Sequence, residues 1–337
     1  MRAAIQAIEY HLPEGVLDNA TLAKEMAGWT AEKITEKTGI SNRHIVAEEE
    51  CASDLAVRAA EKLLASPDCP RESIDFVLLC TQSPDYLLPT TACLLQHRLK
   101  LRDTCGALDF NLGCSGFVYG LSLAKGLIET GQARKVLLIT AETYSRFIHP
   151  HDKSVRTIFG DAAAATLVSA VESEEEQVGP FVFGTDGSGA ENLIVPTGGM
   201  RRRPVPDAAE TEDESGNRRT VNHLFMNGPE IFNFTLRRVP PVVTALLERA
   251  RLSKDQVDLW VFHQANRYML DFLRKKLGLP EDRFVVDLAH CGNTVSSTIP
   301  IALRDLQTQG KLRAGMKMGL VGFGVGYSWS AALVRWP

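Results

Sequence analysis

The stretch Ile74-Asp75-Phe76-Val77-Leu78-Leu79-Cys80 decides the fold class of this 337-residue chain. It is a short, continuous apolar run, and the run Lys135-Val136-Leu137-Leu138-Ile139-Thr140 has the same character. Apolar runs of this length without alternation are typical of strands that are buried on both faces of a sheet. Both stretches are therefore predicted to be strands of a sheet that helices cover.

Helices are predicted on either side of these strands. Residues from Ser115 to Thr130 follow a helical periodicity, and Gly131 comes directly after them, where a glycine commonly ends a helix. A second buried helix is predicted from Ser53 to Leu64. Because strands and helices alternate along the chain, the sequence predicts a layered α/β fold.

The chain also contains a degenerate internal repeat. Residues 71–82 resemble residues 254–264, and Asp109-Phe110 before a Gly-Cys turn matches Asp287-Leu288 before a Cys-Gly-Asn turn, at nearly the same offset. We interpret the chain as two copies of one βαβ-rich unit with diverged loops. The predicted boundaries are an N-terminal half over residues 1–172, a connecting segment over residues 173–222 and a C-terminal half over residues 223–337.

Composition argues against several classes of partner. Lys and Arg number 37 against 41 Asp and Glu, which gives a net charge of -4 and does not favour nucleic acid as a partner. No apolar stretch approaches the roughly 20 residues that span a bilayer, so no membrane partner is expected. The segment Met1-Arg2-Ala3-Ala4-Ile5 lacks the apolar region of a signal peptide, and a cytoplasmic location is expected.

The cysteines point to the same compartment. Their number is odd, and they form neither a C-x-x-C pair nor a spacing matched by histidines, which argues against a zinc site and against a disulfide scaffold. The seven are Cys51, Cys69, Cys80, Cys93, Cys105, Cys114 and Cys291.

Blocks of charge lie between the two halves, from Met200 to Asn222. They comprise the run 201–203 of arginines, an acidic run over 210–214, and Arg218-Arg219. Charge blocks with Pro and Gly are typical of a solvated surface loop that can be mobile, and this reading is favoured over a docking role.

Three residues stand where predicted elements begin or end. Cys114 directly precedes the helix at 115–130, where unpaired N–H groups and the helix dipole are expected to lower the thiol pKa. His263 follows the apolar strand 259–262, a position where α/β sheets place active groups. Asn293 precedes a helix predicted over 295–307. Taken singly, each has an ordinary alternative: a buried structural cysteine, a hydrogen-bonded core histidine and an N-cap.

Six further motifs lie across nearly the whole chain: Lys37-Thr-Gly-Ile-Ser-Asn-Arg-His-Ile45, Asn111-Leu-Gly-Cys-Ser-Gly-Phe117, Ile158-Phe-Gly-Asp-Ala162, His263-Gln-Ala-Asn266, Gly292-Asn-Thr294 and Gly322-Phe-Gly-Val-Gly-Tyr-Ser-Trp329. In this order they resemble β-ketoacyl-acyl-carrier-protein synthase III, the initiating condensing enzyme of type II fatty-acid synthesis in the thiolase superfamily. The resemblance implies an α/β thiolase fold with duplicated halves in five layers (α-β-α-β-α), a homodimer, and a catalytic triad of Cys114, His263 and Asn293.

The resemblance also implies an acyltransferase with a two-step reaction. An acyl group moves from a thioester such as acyl-CoA to Cys114, and decarboxylative Claisen condensation with malonyl-acyl-carrier protein then gives a β-ketoacyl thioester. Backbone N–H groups of Cys114 and Val325 are expected to form the oxyanion hole. Relatives usually carry Gly where this chain has Val325. No metal or organic cofactor is expected.

Substrate contacts are expected from a further set of residues. Leu88 stands where relatives place a residue, often Phe, that closes the partner subunit's acyl pocket, so primers longer than acetyl are expected. Relatives carry Trp at Lys33 and Arg at Lys37 and Lys153, where the planar groups sandwich the CoA adenine. Weaker and more salt-sensitive CoA binding is therefore predicted, unless Trp29 supplies the stacking face. The expected substrate-binding residues are Lys33, Lys37, Thr38, Leu88, Lys153, Phe323 and Gly324.

Other functions compete with this interpretation. Cys-His-Asn also serves cysteine hydrolases, but a papain-like signature is absent. Other thiolase-fold enzymes remain alternatives: a starter-unit synthase of a polyketide or secondary-lipid pathway, or an acyltransferase that makes an ester or amide. A non-enzymatic partner subunit is the third class, and the joint presence of Cys114, His263 and Asn293 argues against it.

Overall fold

The computed structural model describes residues 1–26 and 28–337. Its strands are β1 (Arg2–His11), β2 (Gly15–Asp18), β3 (Asn42–Ile45), β4 (Phe76–Cys80), β5 (Gly106–Phe110), β6 (Lys135–Glu142), β7 (Ala162–Val171), β8 (Val178–Thr185), β9 (Leu193–Ile194), β10 (Thr211–Glu212), β11 (Arg218–Arg219), β12 (Phe225–Met226), β13 (Leu259–Phe262), β14 (Lys317–Gly324) and β15 (Ser328–Arg335). Its helices are α1 (Asn19–Glu25), α2 (Ala31–Thr38), α3 (Ala52–Leu64), α4 (Thr91–Arg98), α5 (Gly116–Glu129), α6 (Lys153–Arg156), α7 (Gly228–Ala250), α8 (Arg267–Leu277) and α9 (Thr298–Thr308).

Two mixed sheets follow the same plan. The first has the order β1-β7-β6-β4-β5 and the second has the order β8-β15-β14-β13. In the first sheet β4 and β6 are parallel, and β6, β7 and β1 are successively antiparallel. In the second sheet β13 and β14 are parallel, and β14, β15 and β8 are successively antiparallel. The duplication predicted from the repeat is therefore present in the topology of the sheets.

Helices α5 and α9 form the middle layer between the sheets. Their buried residues, such as Phe117, Leu121 and Leu303, share one apolar core with Leu138 of the first sheet and Leu320 of the second. Apolar surface from both sheets buries half of the residues of α5 and most of those of α9, because the sides that face the sheets are shielded from water. This accounts for the long apolar sequence of α5.

The outer layers complete a five-layered arrangement. Helices α3 and α4 cover the far side of the first sheet, and their buried residues pack on β4, β6 and β7. Helices α7 and α8 cover the far side of the second sheet. The observed order is helix, sheet, helix, sheet, helix, as the resemblance implies. In the described part of the chain, no helix is long and apolar enough to cross a membrane.

Two local details differ from the sequence analysis. The helix predicted over 295–307 begins as a single 3-10 turn, Val295–Ser297, and α9 starts at Thr298. Val295 has a φ of 56°, which is unfavourable for a β-branched residue, so a regular helix does not extend back to it. In addition, part of the expected connecting segment forms β8, an edge strand of the second sheet.

Candidate active site

Cys114 lies at the end of the first sheet, between β5 and α5. It is 6% exposed, and the end of β14 approaches it closely. A Cβ placed on Gly324 would lie 2.8 Å from the Cys114 Sγ atom, and a Cβ on Gly322 would lie 2.9 Å from the Cys114 carbonyl oxygen. Glycine is required at these two positions because the start of α5 packs against the backbone of the second sheet. The two halves therefore meet at the cysteine.

His263 follows β13 in the second sheet and is 2% exposed. Its backbone N–H donates to the carbonyl of Val321 on β14 at 2.8 Å, which continues the strand pairing. Its Nδ1 atom lies 2.8 Å from the Thr298 hydroxyl oxygen at the start of α9. The ring is thus fixed by two elements, and its Nε2 edge is available to the pocket that His263 lines.

Asn293 is held through its backbone by the segment that contains the motif Ile158-Phe-Gly-Asp-Ala162. Its N–H donates to the Ile158 carbonyl at 3.0 Å, and the Gly160 N–H donates to the Asn293 carbonyl at 3.1 Å. The side-chain Oδ1 atom accepts from the N–H of Val295 at 2.9 Å. Asn293 is not the N-cap, which is Thr294 for the 3-10 turn; its contact with Val295 is an Asx-type bond two residues along the chain, and it leaves the Nδ2 amide as a donor.

A single cavity of about 830 Å³ brings these three side chains together. Cys114, His263 and Asn293 all line it, together with Phe323 and Gly324, which the sequence analysis expected to contact substrate. Most of the other lining residues are apolar or carry amides, among them Phe159, Met226, Asn227, Ile231, Asn266 and Met269. A thiol, an imidazole and an amide in one apolar cavity can form a covalent thioester and stabilise an oxyanion.

The pKa of Cys114 corrects an expectation from the sequence. The start of a helix was expected to lower this pKa, but burial, with a smaller contribution from Glu142, raises the pKa of Cys114 to about 12. The N–H groups of Cys114 and Val325 oppose the shift because they donate toward the sulfur. Helix α5 begins only at Gly116, so desolvation of the buried thiolate outweighs the dipole.

Burial likewise favours the neutral forms of two other site groups. It lowers the pKa of His263 to about 3, so the imidazole is uncharged at neutral pH. It raises the pKa of Glu142 to about 8. Glu142, at the end of β6, accepts from the Gln82 N–H at 3.0 Å and from the Ser296 hydroxyl at 2.8 Å, and so links the two halves behind the pocket. The sequence analysis did not identify Glu142, because a single glutamate at the end of a strand gives no local signal of such a contact.

Five expected substrate-binding residues lie outside the lining of this cavity, namely Lys33, Lys37, Thr38, Leu88 and Lys153. Thr38 is buried, and its hydroxyl donates to the Ile34 carbonyl at 2.7 Å. The ammonium groups of Lys33 and Lys37 lie 5.2 and 5.0 Å from the centre of the Trp29 ring. Lys153 donates to the Ser215 carbonyl at 3.0 Å. The roles expected for these residues stay predictions.

A second cavity of about 710 Å³ contains Val325, Gln82 and Tyr144 in its lining. Tyr86 and Leu87 also line it, and together with Leu88 they form an exposed apolar tripeptide with 61%, 70% and 82% exposure. Leu88 therefore points to solvent in the single chain. Its expected role in a partner's pocket stays a prediction.

The charged segment 200–222 differs in part from the expected solvated loop. Its first half is mostly exposed, but β10 and β11 form a hairpin whose turn lines the first cavity through Asp213, Ser215 and Asn217. Arg219 of this hairpin pairs with the fully buried Asp152 at 2.8 Å. The turn residues Asp-Glu-Ser-Gly-Asn were a sequence signal for such a hairpin.

One group of potential metal ligands lies apart from the cavity. Within residues 1–26 and 28–337, only Asp287, His290 and Asp305 bring three ligand atoms within 4.8 Å of one another. The Tyr10 hydroxyl donates to Asp305 at 2.8 Å. None of the three ligands lines the cavity that holds Cys114.

The doubled sheet architecture and a cavity lined by cysteine, histidine and asparagine are those of a thiolase-fold acyltransferase. Comparisons with known proteins agree. The family description "3-Oxoacyl-[acyl-carrier-protein (ACP)] synthase III C terminal" matches residues 247–336, and "3-Oxoacyl-[acyl-carrier-protein (ACP)] synthase III" matches residues 108–187.

Whole-length relatives belong to the same family. The β-ketoacyl-[acyl-carrier-protein] synthase III of Caldanaerobacter subterraneus subsp. tengcongensis is 35% identical over 99% of this chain and 98% of its own length. A crystal structure of a 3-oxoacyl-(acyl-carrier-protein) synthase III at 2.1 Å is 57% identical with a TM-score of 0.98, and all of both chains is covered. The 3-oxoacyl-(acyl-carrier protein) synthase of Burkholderia xenovorans LB400 is 39% identical with a TM-score of 0.90, over 100% of this chain and 94% of its own.

The chain therefore belongs to the β-ketoacyl-acyl-carrier-protein (3-oxoacyl-acyl-carrier-protein) synthase III family. The predicted family, the thiolase fold and the assignment as an acyltransferase are confirmed. The function of this family is the initiating condensation of fatty-acid synthesis.

Proposed function

We propose that the cavity carries out acyl transfer and decarboxylative condensation with Cys114, His263 and Asn293 as its catalytic residues. The observation that carries this proposal is their joint presence in the lining of one largely apolar cavity. Cys114 is the nucleophile, and His263 and Asn293 act on the second substrate. The whole-length resemblance to synthases III supports these roles.

In the first step the Cys114 sulfur attacks the carbonyl carbon of an acyl thioester. The bond between the carbonyl carbon and the sulfur of the CoA or carrier group breaks, and the proton of the Cys114 thiol passes to that leaving sulfur. The tetrahedral oxyanion accepts from backbone N–H groups, for which Cys114 and Val325 are suited because both donate toward this sulfur. The raised pKa of Cys114 means that the thiol is protonated at neutral pH.

In the second step a malonyl thioester loses CO2 and leaves an enolate. His263 and Asn293 are placed to donate to the enolate oxygen through Nε2 and Nδ2. Burial keeps the His263 ring neutral, and the contact between Nδ1 and the Thr298 hydroxyl orients it. Donation to the enolate uses the neutral tautomer that carries its proton on Nε2. The enolate carbon then attacks the acyl-Cys114 carbonyl, the β-ketoacyl thioester departs, and the Cys114 thiolate takes up a proton. The reaction needs neither a metal nor an organic cofactor.

The substrates are an acyl-CoA or carrier-borne primer and malonyl-acyl-carrier protein. Trp29, Lys33 and Lys37 offer an aromatic face and two cations to the CoA or carrier part of the primer. Thr38 and Lys153 are the other residues proposed to contact this part of the substrate. Phe323 and Gly324 contact the acyl thioester near Cys114.

The active form is a homodimer in the cytoplasm. Strand β5 is an edge of the first sheet, and its Leu108 is 46% exposed. An exposed apolar edge strand favours pairing with a second copy. Such pairing places the exposed tripeptide 86–88 at the interface between the two copies, where Leu88 closes the partner's acyl pocket. The seven cysteines are free thiols, which supports a reducing compartment.

The test is turnover with acyl-CoA primers of increasing length, with and without malonyl-acyl-carrier protein. We expect a β-ketoacyl-carrier product and CO2 only when both substrates are present. Acyl uptake followed by transfer to an alcohol or amine would indicate another thiolase-fold acyltransferase. Absence of both uptake and product would contradict the proposal and indicate a non-enzymatic subunit.

A further inference from the structure

The hairpin of β10 and β11 forms one wall of the cavity that contains Cys114. Its turn residues Asp213, Ser215 and Asn217 line that cavity, and so does Arg219 at its base. The two strands pair over only two residues each, through Thr211 with Arg219 and Glu212 with Arg218. Such a short ladder does not fix a wall by itself. Other contacts must therefore hold the hairpin in place.

The turn is organised around the carboxylate of Asp213. Its Oδ1 atom accepts from the N–H groups of Ser215 and Asn217, both at 3.0 Å, and the Asn217 amide donates to Oδ2 at 3.0 Å. Asn217 is 7% exposed, so this part of the turn faces the protein. The carboxylate gives the turn a defined shape.

Arg219 connects this turn to the body of the protein. One guanidinium nitrogen donates to Asp213 at 3.0 Å, and another donates to Asp152 at 2.8 Å. The guanidinium also lies 4.9 Å from the centre of the Phe225 ring, another lining residue. Asp152 is fully buried and caps α6 by accepting from the Ser154 N–H at 3.0 Å. Removal of Arg219 would leave this buried carboxylate without its ion pair.

We propose that Arg219 is a positioning residue that holds the hairpin closed as a preformed wall of the acyl-thioester site. The inference rests on the proposed function, since it assumes that thioesters bind in this cavity. Arg219 bridges the Asp213 turn and the Asp152 cap, and the Lys153 ammonium adds a second contact from α6 to the Ser215 carbonyl at 3.0 Å. Of the two, only Arg219 pairs with a buried carboxylate. When the bridge is lost, the hairpin opens for part of the time and thioester binding weakens. The chemistry at Cys114 does not change once a thioester is bound.

The neighbouring Arg218 provides a matched control. Its side chain pairs with Glu212 of the same hairpin at 2.9 Å, and the two side chains are about half exposed. This pair lies within the hairpin and makes no bridge to α6. Arg218→Gln therefore removes the same charge from the same turn while the connection to Asp152 stays intact.

The test compares Arg219→Gln, Arg219→Lys, Asp213→Asn and Arg218→Gln with the wild type. Acylation of Cys114 is followed with the acyl-CoA that the wild type uses best, and hydrogen exchange is followed over residues 209–220. If the closed hairpin falls to about a tenth of the population, KM rises about tenfold while the maximal acylation rate stays within about twofold. Arg219→Lys, which keeps the charge beside Asp152, should be intermediate, and Arg218→Gln should match the wild type.

Asp213→Asn is the variant to use if Arg219→Gln fails to fold. It keeps the Arg219–Asp152 ion pair and therefore leaves no buried charge unpaired. It should increase both the KM for the acyl-CoA and the rate of hydrogen exchange in the hairpin, as Arg219→Gln does. Faster exchange in the hairpin with an unchanged KM would overturn the inference, and so would equal effects of Arg218→Gln and Arg219→Gln. An unacylated wild type would instead overturn the proposed function, and the inference with it.

Discussion

At the residue scale, the proposed site depends on neutral groups in a largely apolar cavity. His263 and Asn293 are each oriented by a contact on the side away from the cavity, with Thr298 and Val295 respectively. In the proposed mechanism both donate without a change of charge, and Cys114 alone forms a covalent bond. This division of roles leads to a prediction that separates the two steps.

His263→Ala and Asn293→Ala should still take up an acyl group on Cys114 but lose decarboxylation of the malonyl thioester. Removing one donor to a developing oxyanion typically costs about 10²–10³ in rate. The measurement is CO2 release from malonyl-acyl-carrier protein beside acyl uptake by the same variant. Normal CO2 release by both variants would show that neither residue stabilises the enolate.

The alkylation rate of Cys114 by iodoacetamide should rise about tenfold per pH unit between pH 7 and 9, because only the thiolate reacts. The raised pKa of Cys114, about 12, keeps the thiolate a minor species over this whole range. The experiment uses the Cys93→Ala variant, which removes the exposed cysteine, and follows the peptide that contains Cys114. A rate that levels off near pH 7 would instead indicate the lowered pKa that the helix position suggests.

At the scale of elements, α5 sets the distance between the cysteine and both sheets. A Cβ on Gly116 would overlap the sulfur of the buried Cys80, whereas a Cβ on Gly126 of the same helix would meet no atom within 4 Å. The two glycines therefore differ in what a methyl group would do. Gly116 allows the start of α5 to pack closely against Cys80 of β4, whereas Gly126 only weakens the helix.

Gly116→Ala should lower the free energy of unfolding by about 1–3 kcal/mol, because the added methyl overpacks the start of the helix. Gly126→Ala should raise it by about 0.5–1 kcal/mol through helix propensity. Urea unfolding of both variants and the wild type gives the comparison. Equal shifts of the same sign would mean that packing between α5 and β4 is not the reason for Gly116.

Elements with a strong local signal were predictable, and contacts between distant residues were not. The strand 76–80, the helix at 116–129 and the place of His263 follow from short sequence patterns. The ion pair of Arg219 with Asp152 joins residues 67 positions apart, and no local pattern encodes it. The pKa of Cys114 was predicted in the wrong direction because burial depends on how α5 packs against β14, which the local sequence does not give.

At the scale of the whole molecule, the edge strand β5 is the predicted dimer contact. Leu108→Lys should convert the dimer to a monomer at micromolar concentration, because a charged side chain on an edge strand opposes pairing. Sedimentation equilibrium measures the mass. Val16→Lys is the control, since Val16 is 56% exposed on β2, outside the first sheet. A Leu108→Lys variant that stays dimeric would place the interface elsewhere.

The central claim is that this synthase III family member carries the acyl group on Cys114, and the mass of the protein after incubation with acyl-CoA tests it most directly. We predict one added acyl group per chain, mapped to the peptide that contains Cys114, present in Cys93→Ala and absent in a folded Cys114→Ala variant. Malonyl-acyl-carrier protein should then discharge it as a β-ketoacyl product. An acyl group on another residue, or an adduct that persists in Cys114→Ala, would contradict the account.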